Sequence, residues 1–184
     1  MNGDKVETSC NCDLLLDFVN TLELRPHVEA LRTPPDLARW LADNGLVERG
    51  TNATAADLRE AIELREALRT LLGTHNELAG DVDAASAVLE RVSRAAKLGV
   101  CFAGGGLRLE PATAGVRGAL GLIVAEVATA MSEGTWARMK ACRAEDCRWG
   151  FLDTAKNQSR AWCSMSSCGN REKARAYRAR HAHA

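Results

Sequence analysis

The sequence lacks the patterns that identify most enzymes. No serine nucleophile signature and no cluster of histidine and carboxylate metal ligands occurs in its 184 residues. The three glycines from Gly104 follow a predicted strand but open no helix, so they indicate a turn and not a phosphate-binding loop. These absences make a non-enzymatic role the first expectation.

Long hydrophobic runs are also missing. No apolar stretch reaches the roughly 20 residues that a membrane span needs, and the amino terminus is polar and acidic, unlike a signal peptide. Seven cysteines without a secretion signal indicate a reducing compartment. We therefore expect a cytoplasmic protein with no membrane partner.

Four of the seven cysteines form two matched pairs near the end of the chain. Cys142 and Cys147 enclose four residues, as do Cys163 and Cys168. Four thiolates can close a tetrahedral shell around one Zn²⁺ ion, and a closed shell has no position for a substrate, so such a zinc is structural. Reduced thiols without a metal are the alternative, whereas a redox site is disfavoured because Cys-x-x-Cys spacing is absent.

The net charge of zero conceals two oppositely charged parts. Residues 138 to 184 carry 11 Lys and Arg against 4 Asp and Glu, a net charge of +7. Residues 1 to 137 carry 13 against 20, a net charge of −7. This asymmetry favours a polyanionic partner for the basic end, and nucleic acid is the first candidate.

Two motifs resemble a known family of bacterial proteins. The first is Leu16-Asp17-Phe18-Val19-Asn20-Thr21, and the second comprises the four cysteines with Trp162 and Cys168-Gly169-Asn170-Arg171. Together they resemble an amino-terminal ABATE domain followed by a CGNR zinc finger, although Thr154-Ala155-Lys156 stands where the family often has a Ser-Arg pair. The resemblance covers nearly the whole chain and implies a transcription regulator with one structural zinc ion.

The spacing of apolar residues and the helix-capping residues along the chain predict a mainly α protein. We expect a helical bundle over residues 1–135 with one small β-hairpin around residues 100–109, followed over residues 136–184 by a small treble-clef-like zinc finger with four cysteine ligands. Asp13, Thr33 and Thr54 are candidate helix caps, and Gly99 is expected to end a helix. The charged run Glu60, Glu63, Arg65, Glu66 and Arg69 is interpreted as a solvated helix face.

The basic end supplies candidate contacts to nucleic acid. A helix beginning at Arg171 has almost no apolar face, so it is either a solvated tail or is held by a partner that supplies phosphates. Donor groups in the loop between the cysteine pairs could add contacts. The candidate residues are Lys156, Asn157, Arg160, Arg171, Lys173, Arg175, Arg178 and Arg180.

The body contains one candidate ligand site. Asp17, Asn20 and Thr21 share a helical face, and Arg25 could join them as a counter-ion for an anionic ligand. The alternative is that these side chains form hydrogen bonds with the protein's own backbone and neighbouring side chains, and the residues favour this alternative.

Two functional classes follow from these observations. The first is a DNA-binding regulator whose body senses a small-molecule effector or dimerises. The second is a zinc-stabilised enzyme or ligand-binding protein with its site around Asp17, Asn20 and Arg25. RNA could replace DNA as the partner. Because one short finger makes a small interface, a homodimer is favoured, and the finger is expected to unfold independently of the body when its zinc is lost.

Overall fold

The computed structural model describes residues 10–103 and 106–181. Six α-helices and three two-stranded antiparallel sheets are present within these residues. The helices are α1 (Cys12–Val19), α2 (Pro34–Asp43), α3 (Ala55–Thr74), α4 (Val82–Ala96), α5 (Gly115–Ser132) and α6 (Asn170–His181). The strands are β1 (Leu22–Glu23), β2 (Val28–Glu29), β3 (Leu98–Ala103), β4 (Gly106–Pro111), β5 (Met139–Ala141) and β6 (Gly150–Leu152). The predicted fold class, helical bundle, hairpin and finger, is confirmed.

Local hydrogen bonds explain where the helices begin. The side chains of Thr33 and Thr54 accept hydrogen bonds from backbone N–H groups three residues on, and Asp36 and Asp57 bond back in two complete capping boxes. The prediction that Asp13 caps α1 is wrong: the side chain of Asn11 accepts the hydrogen bond from the Leu14 N–H instead.

The end of α4 also differs from the prediction. Lys97, with a left-handed φ of 53°, ends the helix, whereas Gly99 lies in β3. A lysine can occupy this conformation at some cost, and the chain then turns directly into the hairpin.

Helix α5 is the centre of the bundle. Leu120 and Ile123 are fully buried, and α5 packs against α1, α2, α3 and α4. Gly121 allows a close approach to α4, because a Cβ atom there would lie 2.4 Å from the Cβ of Ala96. Among the described residues α5 alone is long and apolar enough to cross a membrane, but half of it is buried in the bundle. Core helices meet the same criteria, so this property is weak evidence for a membrane span.

The hairpin β3–β4 was predicted, but it is not the sole sheet of the body. Leu22 pairs with Glu29 and Glu23 with Val28 in a second, two-residue ladder between α1 and α2. Strands β5 and β6 form the hairpin of the finger, with Met139 opposite Leu152.

The prediction of a fully solvated charged face on α3 is wrong for its two arginines. Arg65 and Arg69 are 2% and 7% exposed. Arg65 donates two hydrogen bonds to the carboxylate of Glu29, at 2.7 and 2.9 Å, and others to Glu66 and Thr21. Burial of an arginine is tolerated when its donors are paired in this way.

Candidate metal centre and nucleic-acid interface

The four cysteines of the two matched pairs come together in the finger. Cys142 directly follows β5, and Cys147 lies on a tight turn in which its N–H donates to the Ala144 carbonyl. Arg148, with a φ of 51°, reverses the chain into β6. Cys163 lies just before a short π-helical turn, Met165–Gly169, which contains Cys168 and leads into α6. Two turns, one for each cysteine pair, thus present their thiols to one point.

The spacing of the sulfur atoms fits zinc. All four Sγ atoms lie within 4.8 Å of one another, with Cys147–Cys163 at 3.6 Å and Cys163–Cys168 at 3.7 Å. A tetrahedron with Zn–S bonds of about 2.3 Å has sulfur–sulfur edges of about 3.8 Å. Cys142 and Cys168 are buried, which excludes water from one side of the site. The tetrad fits one structural zinc ion.

The four thiols cannot all ionise without a cation. Hydrogen bonding from Cys147, and then from Cys163, lowers the pKa of Cys142 to about 2. The same contact with Cys142 raises the pKa of Cys147 to about 12, and contact with Cys142 also raises the pKa of Cys163. The thiolate of Cys142 is therefore held by its neighbours, whereas Cys147 and Cys163 need the charge of a metal ion to lose their protons.

A buried ion pair shapes the loop between the cysteine pairs. Lys140 of β5 donates to the carboxylate of Asp153 at 2.8 Å, and the two side chains are 7% and 0% exposed. Asp153 also accepts hydrogen bonds from the N–H groups of Ala155 and Arg160. Burial raises the pKa of Asp153, but the hydrogen bonds from Lys140 and these N–H groups lower it overall. The loop is therefore anchored at both ends.

The candidate residues in that loop differ in how many contacts their side chains make within the protein. Lys156 and Asn157 are exposed, and Asn157 accepts a hydrogen bond from the Ser159 hydroxyl. Arg160 is also exposed, but it donates to the carbonyls of Trp162 and Cys163 and lies 4.8 Å from the ring centre of Phe151. Its guanidinium supports the second cysteine turn.

Helix α6 presents most of its cations to solvent. No residue of α6 is buried, and Lys173, Arg175, Arg178 and Arg180 are all exposed. Arg175 pairs with Glu172 at 3.0 Å, while Lys173 and Arg180 form no ion pair within the described residues. Tyr177 and His181 stack at 4.1 Å on the same helix. Lys173, Arg178 and Arg180, which have no acidic partner within the described residues, are suited to phosphate contacts.

The first cation of α6 has a different role. Arg171 is half-buried and donates to the carboxylate of Asp146 at 2.7 Å and to the Sγ of Cys168 at 3.5 Å. Asp146 also accepts a hydrogen bond from Arg25 of the body at 3.0 Å. Asp146 therefore links the two arginines, and sequence reasoning missed it because an isolated acidic residue carries no pattern.

The body and the finger share an extensive interface. Met139 and Ala141 of β5 belong to the hydrophobic core of the bundle. The amide of Asn76 donates to the carbonyls of Ala141 and Ala161, and Arg69 donates to the carbonyl of Arg148. These buried bonds tie the finger to the end of α3, so the structure favours coupled unfolding over the independent finger that the sequence suggested.

A concave cleft lies at this interface. It has a volume of about 830 Å³ and is lined by Asp17, Asn20 and Arg25 of the body together with Arg160 and Arg171 of the finger. Asp17 is exposed, whereas the side chain of Asn20 bonds to Gly150. Thr21 does not line the cleft: its buried hydroxyl donates to the Phe18 carbonyl and accepts from Arg65. Residues from both sequence motifs thus meet at one concave site.

A helical bundle joined to a four-cysteine finger with an exposed basic helix defines a protein of the zinc-finger class. Residues 13–134 match the model of the ABATE family, described as "Putative stress-induced transcription regulator", and residues 138–181 match the CGNR zinc finger. A comparison with curated proteins found no match. The chain belongs to the ABATE family, with the ABATE segment first and the CGNR finger second, as the motifs predicted.

Proposed function

We propose that the protein is a DNA-binding transcription regulator that contacts the duplex through α6 and the adjacent loop. The assignment as a putative transcription regulator with a zinc finger rests on the two family matches. The single observation that supports DNA binding is the set of exposed cations Lys173, Arg178 and Arg180 on the helix that follows the zinc site, in the part of the chain with a net charge of +7.

The shape of the finger supports this assignment. The zinc site fixes the start of α6, and the Arg171–Asp146 pair holds its first turn, so the exposed cations project from an ordered base. Lys156 and Asn157 in the loop are exposed as well and add donors for phosphate or base edges. Because Arg160 and Arg171 are engaged within the protein, we assign them a positioning role at this surface.

A selection from genomic fragments tests the proposal. The zinc-loaded protein is mixed with pooled duplex fragments of its own genome, beside a variant with Lys173, Arg178 and Arg180 changed to Ala. A matched control changes Arg49, Arg59 and Arg117, three exposed arginines of the body, to Ala. We expect enrichment of defined fragments by the native protein and the control but not by the α6 variant. Equal enrichment by all three proteins would contradict the proposal, and enrichment from an RNA pool alone would replace DNA with RNA.

We also propose that the cleft between the body and the finger is the effector site. Its volume of about 830 Å³ suits a small molecule, and Arg25 and Arg171 meet there on Asp146. A ligand that binds Arg25 in place of Asp146 would alter the contact between Asp146 and Arg171, and that contact holds the first turn of α6. The site therefore extends beyond the body, because ten of the sixteen residues that line the cleft belong to the finger.

Amide spectra of the ¹⁵N-labelled protein test the cleft directly. A panel of small carboxylates and amines is added in turn, and the side-chain amide of Asn20 and the backbone amide of Gly150 are followed. We expect a binding compound to shift these two signals, and Asp17→Asn or Arg25→Ala to weaken the shift. Shifts confined to other regions would place the ligand elsewhere, whereas chemical conversion of an added compound would favour the enzyme alternative.

A further inference from the structure

Two cysteines of the body have their sulfur atoms in contact. Cys10 and Cys12 enclose a single residue, Asn11, and their Sγ atoms lie 3.0 Å apart. This separation is shorter than the 3.6 Å and 3.7 Å between neighbouring thiols of the zinc site. A disulfide bond is about 2.05 Å long, so the two sulfur atoms need to approach by only about 1 Å to bond. Neither residue lines the cleft or belongs to the zinc tetrad.

The backbone around the two thiols is held by hydrogen bonds. The N–H of Cys10 donates to the carboxylate of Glu133 at 2.9 Å, and the N–H of Asn11 donates to that of Glu126 at 2.8 Å. The side chain of Asn11 also caps α1 by accepting a hydrogen bond from the Leu14 N–H. The contact between the two thiols therefore follows from the way in which α1 begins on the surface of α5.

The two thiols differ in their access to solvent. Cys10 belongs to the hydrophobic core and is 8% exposed, whereas Cys12 is half-buried at the edge of that core. Burial, and then the hydrogen bond with Cys12, raise the pKa of Cys10, so Cys10 stays protonated at neutral pH. Cys12 is the thiol of the pair that a dissolved oxidant can reach. An accessible cysteine beside a second, resolving cysteine is the usual arrangement of a redox-sensitive pair.

Metal binding is the other common use of paired cysteines. Among residues 10–103 and 106–181, the one group of three or more possible metal ligands is the tetrad of the finger, so no third ligand joins Cys10 and Cys12. A structural zinc site needs four ligands. The geometry thus favours a bond between the two sulfur atoms over an ion shared by them.

We propose that Cys10 and Cys12 form a reversible disulfide when the protein meets hydrogen peroxide. The sulfur of Cys12 attacks one peroxide oxygen: an S–O bond forms, the O–O bond breaks, and the thiol proton leaves with the second oxygen as water. The sulfur of Cys10 then attacks the sulfenic sulfur of Cys12: the S–S bond forms, the S–O bond breaks, and the hydroxyl group leaves with the Cys10 proton as a second water. Two thiols are oxidised and one peroxide molecule is reduced.

The disulfide changes the beginning of α1. It closes a small ring around Asn11, so we expect the hydrogen bonds of Asn11 with Leu14 and Glu126 to shift. Strained or exposed disulfides are the readily reduced ones, so a thiol reductant reverses the bond. The reaction needs neither DNA nor a ligand in the cleft, and its test is therefore independent of the proposed function.

Peptide mapping of the zinc-loaded full chain tests the site. The protein is treated with a small excess of hydrogen peroxide, unfolded in an alkylating agent that caps free thiols, and digested with trypsin. The tryptic peptide of residues 6–32 contains Cys10 and Cys12 and no other cysteine. After peroxide we expect this peptide to lack the two thiol hydrogens and to resist alkylation. It should regain both alkyl groups when dithiothreitol precedes the alkylation.

Cys101 provides an internal control in the tryptic peptide of residues 98–108. Its thiol is partly exposed, like that of Cys12, but it lies opposite Arg108 on the hairpin and not beside a second cysteine. At the peroxide dose that bridges Cys10 and Cys12, Cys101 should still be alkylated. Equal loss of alkylation in the two peptides would overturn the proposal, because exposure alone would then explain the reaction.

Two variants separate the roles of the two thiols. In Cys10→Ser, Cys12 should stop at a sulfenic acid, which a 1,3-diketone traps. In Cys12→Ser, Cys10 should remain a free thiol after the same treatment, because it is buried. Full alkylation of the native 6–32 peptide after peroxide would overturn the proposal. A second zinc ion per chain that Cys12→Ser removes would also overturn it, because the pair would then hold a metal.

Discussion

Asn20 binds Gly150 through both ends of its side-chain amide. The Gly150 N–H donates to Oδ1 of Asn20 at 2.7 Å, and Nδ2 of Asn20 donates to the Gly150 carbonyl at 3.0 Å. A Cβ atom at position 150 would lie 3.2 Å from Leu16 and 3.4 Å from Asn20, so a glycine permits the close approach. These two hydrogen bonds join Asn20, directly after α1, to Gly150, the first residue of β6, as backbone groups join two neighbouring strands.

Removal of this pair should destabilise the whole chain. Asn20→Ala leaves the N–H and carbonyl of the buried Gly150 without partners, at a cost of about 1–3 kcal/mol in the free energy of unfolding. Urea denaturation followed by circular dichroism measures this loss. Asn52→Ala, at an exposed position of the loop before α3, should change stability by no more than about 0.5 kcal/mol. Equal stabilities of the two variants would show that the Asn20–Gly150 contact is dispensable.

Loss of zinc should destabilise the helical body as well as the finger. Met139 and Ala141 are fully buried in the core of the bundle, so disorder of β5 and β6 would expose apolar surface of α3 and α1. We expect Cys163→Ser to lose zinc, measured by metal analysis, and to show a lower midpoint of thermal unfolding. Amide exchange should become faster in α1 and α3 at the same time. Unchanged amide exchange in these helices would show that the finger unfolds independently of the body, as the sequence suggested.

The contribution of the buried Arg69 to stability can be compared with that of the exposed Arg59 on the same helix. Arg69 donates to the carbonyls of Val19, Leu22 and Arg148, so Arg69→Ala leaves three acceptors without this donor. We expect a loss of about 3 kcal/mol or more in the free energy of unfolding. Arg59→Ala, on the exposed face of the same helix, should cost no more than about 0.5 kcal/mol. Similar losses for both would mean that the charged face is solvated after all.

The Lys140–Asp153 pair predicts a pH dependence of stability. The folded-state pKa of Asp153 lies below its unfolded value of about 3.9, so its contribution is present above that value. The contribution is lost as the pH falls through the folded pKa. Asp153→Asn should cost about 3–5 kcal/mol at neutral pH, because the ammonium of Lys140 is then buried without a counter-charge.

Stability measured against pH provides the check for this pair. The native protein and Asp153→Asn should differ most near neutral pH, and their stabilities should converge in acid. A constant difference down to the lowest pH at which the protein folds would show that the carboxylate charge of Asp153 is not the cause.

Local patterns allowed much of the fold to be predicted from sequence. The capping boxes at Thr33 and Thr54 depend on residues three positions apart, and the cysteine pairs have equal spacing. Residues that are close in sequence are therefore sufficient to predict these features. The buried role of Arg65 was not predictable in this way. Its carboxylate partner Glu29 lies 36 residues away on β2, and an arginine among glutamates has the same pattern on a solvated helix face.

The cleft was predictable only in part. Asp17, Asn20 and Arg25 were candidates because they are polar residues in or next to an apolar segment. Their finger neighbours Arg160 and Arg171 join them through the packing of β6 on α1, which depends on the size of Gly150 and on Asn20. Thr21 was placed on the same face, but α1 ends at Val19, so its side chain points to Arg65.

The salt dependence of duplex binding tests the central claim most directly. Fluorescence anisotropy of a labelled duplex is followed over a range of salt concentrations for the native protein and for the variant with Lys173, Arg178 and Arg180 changed to Ala. If these three cations bind phosphates, the slope of log affinity against log salt should be steep for the native protein. In the variant it should be shallower by about 0.9 for each phosphate that is no longer neutralised. The variant with Arg49, Arg59 and Arg117 changed to Ala should keep the native slope, whereas equal slopes for native protein and α6 variant would contradict DNA binding through α6.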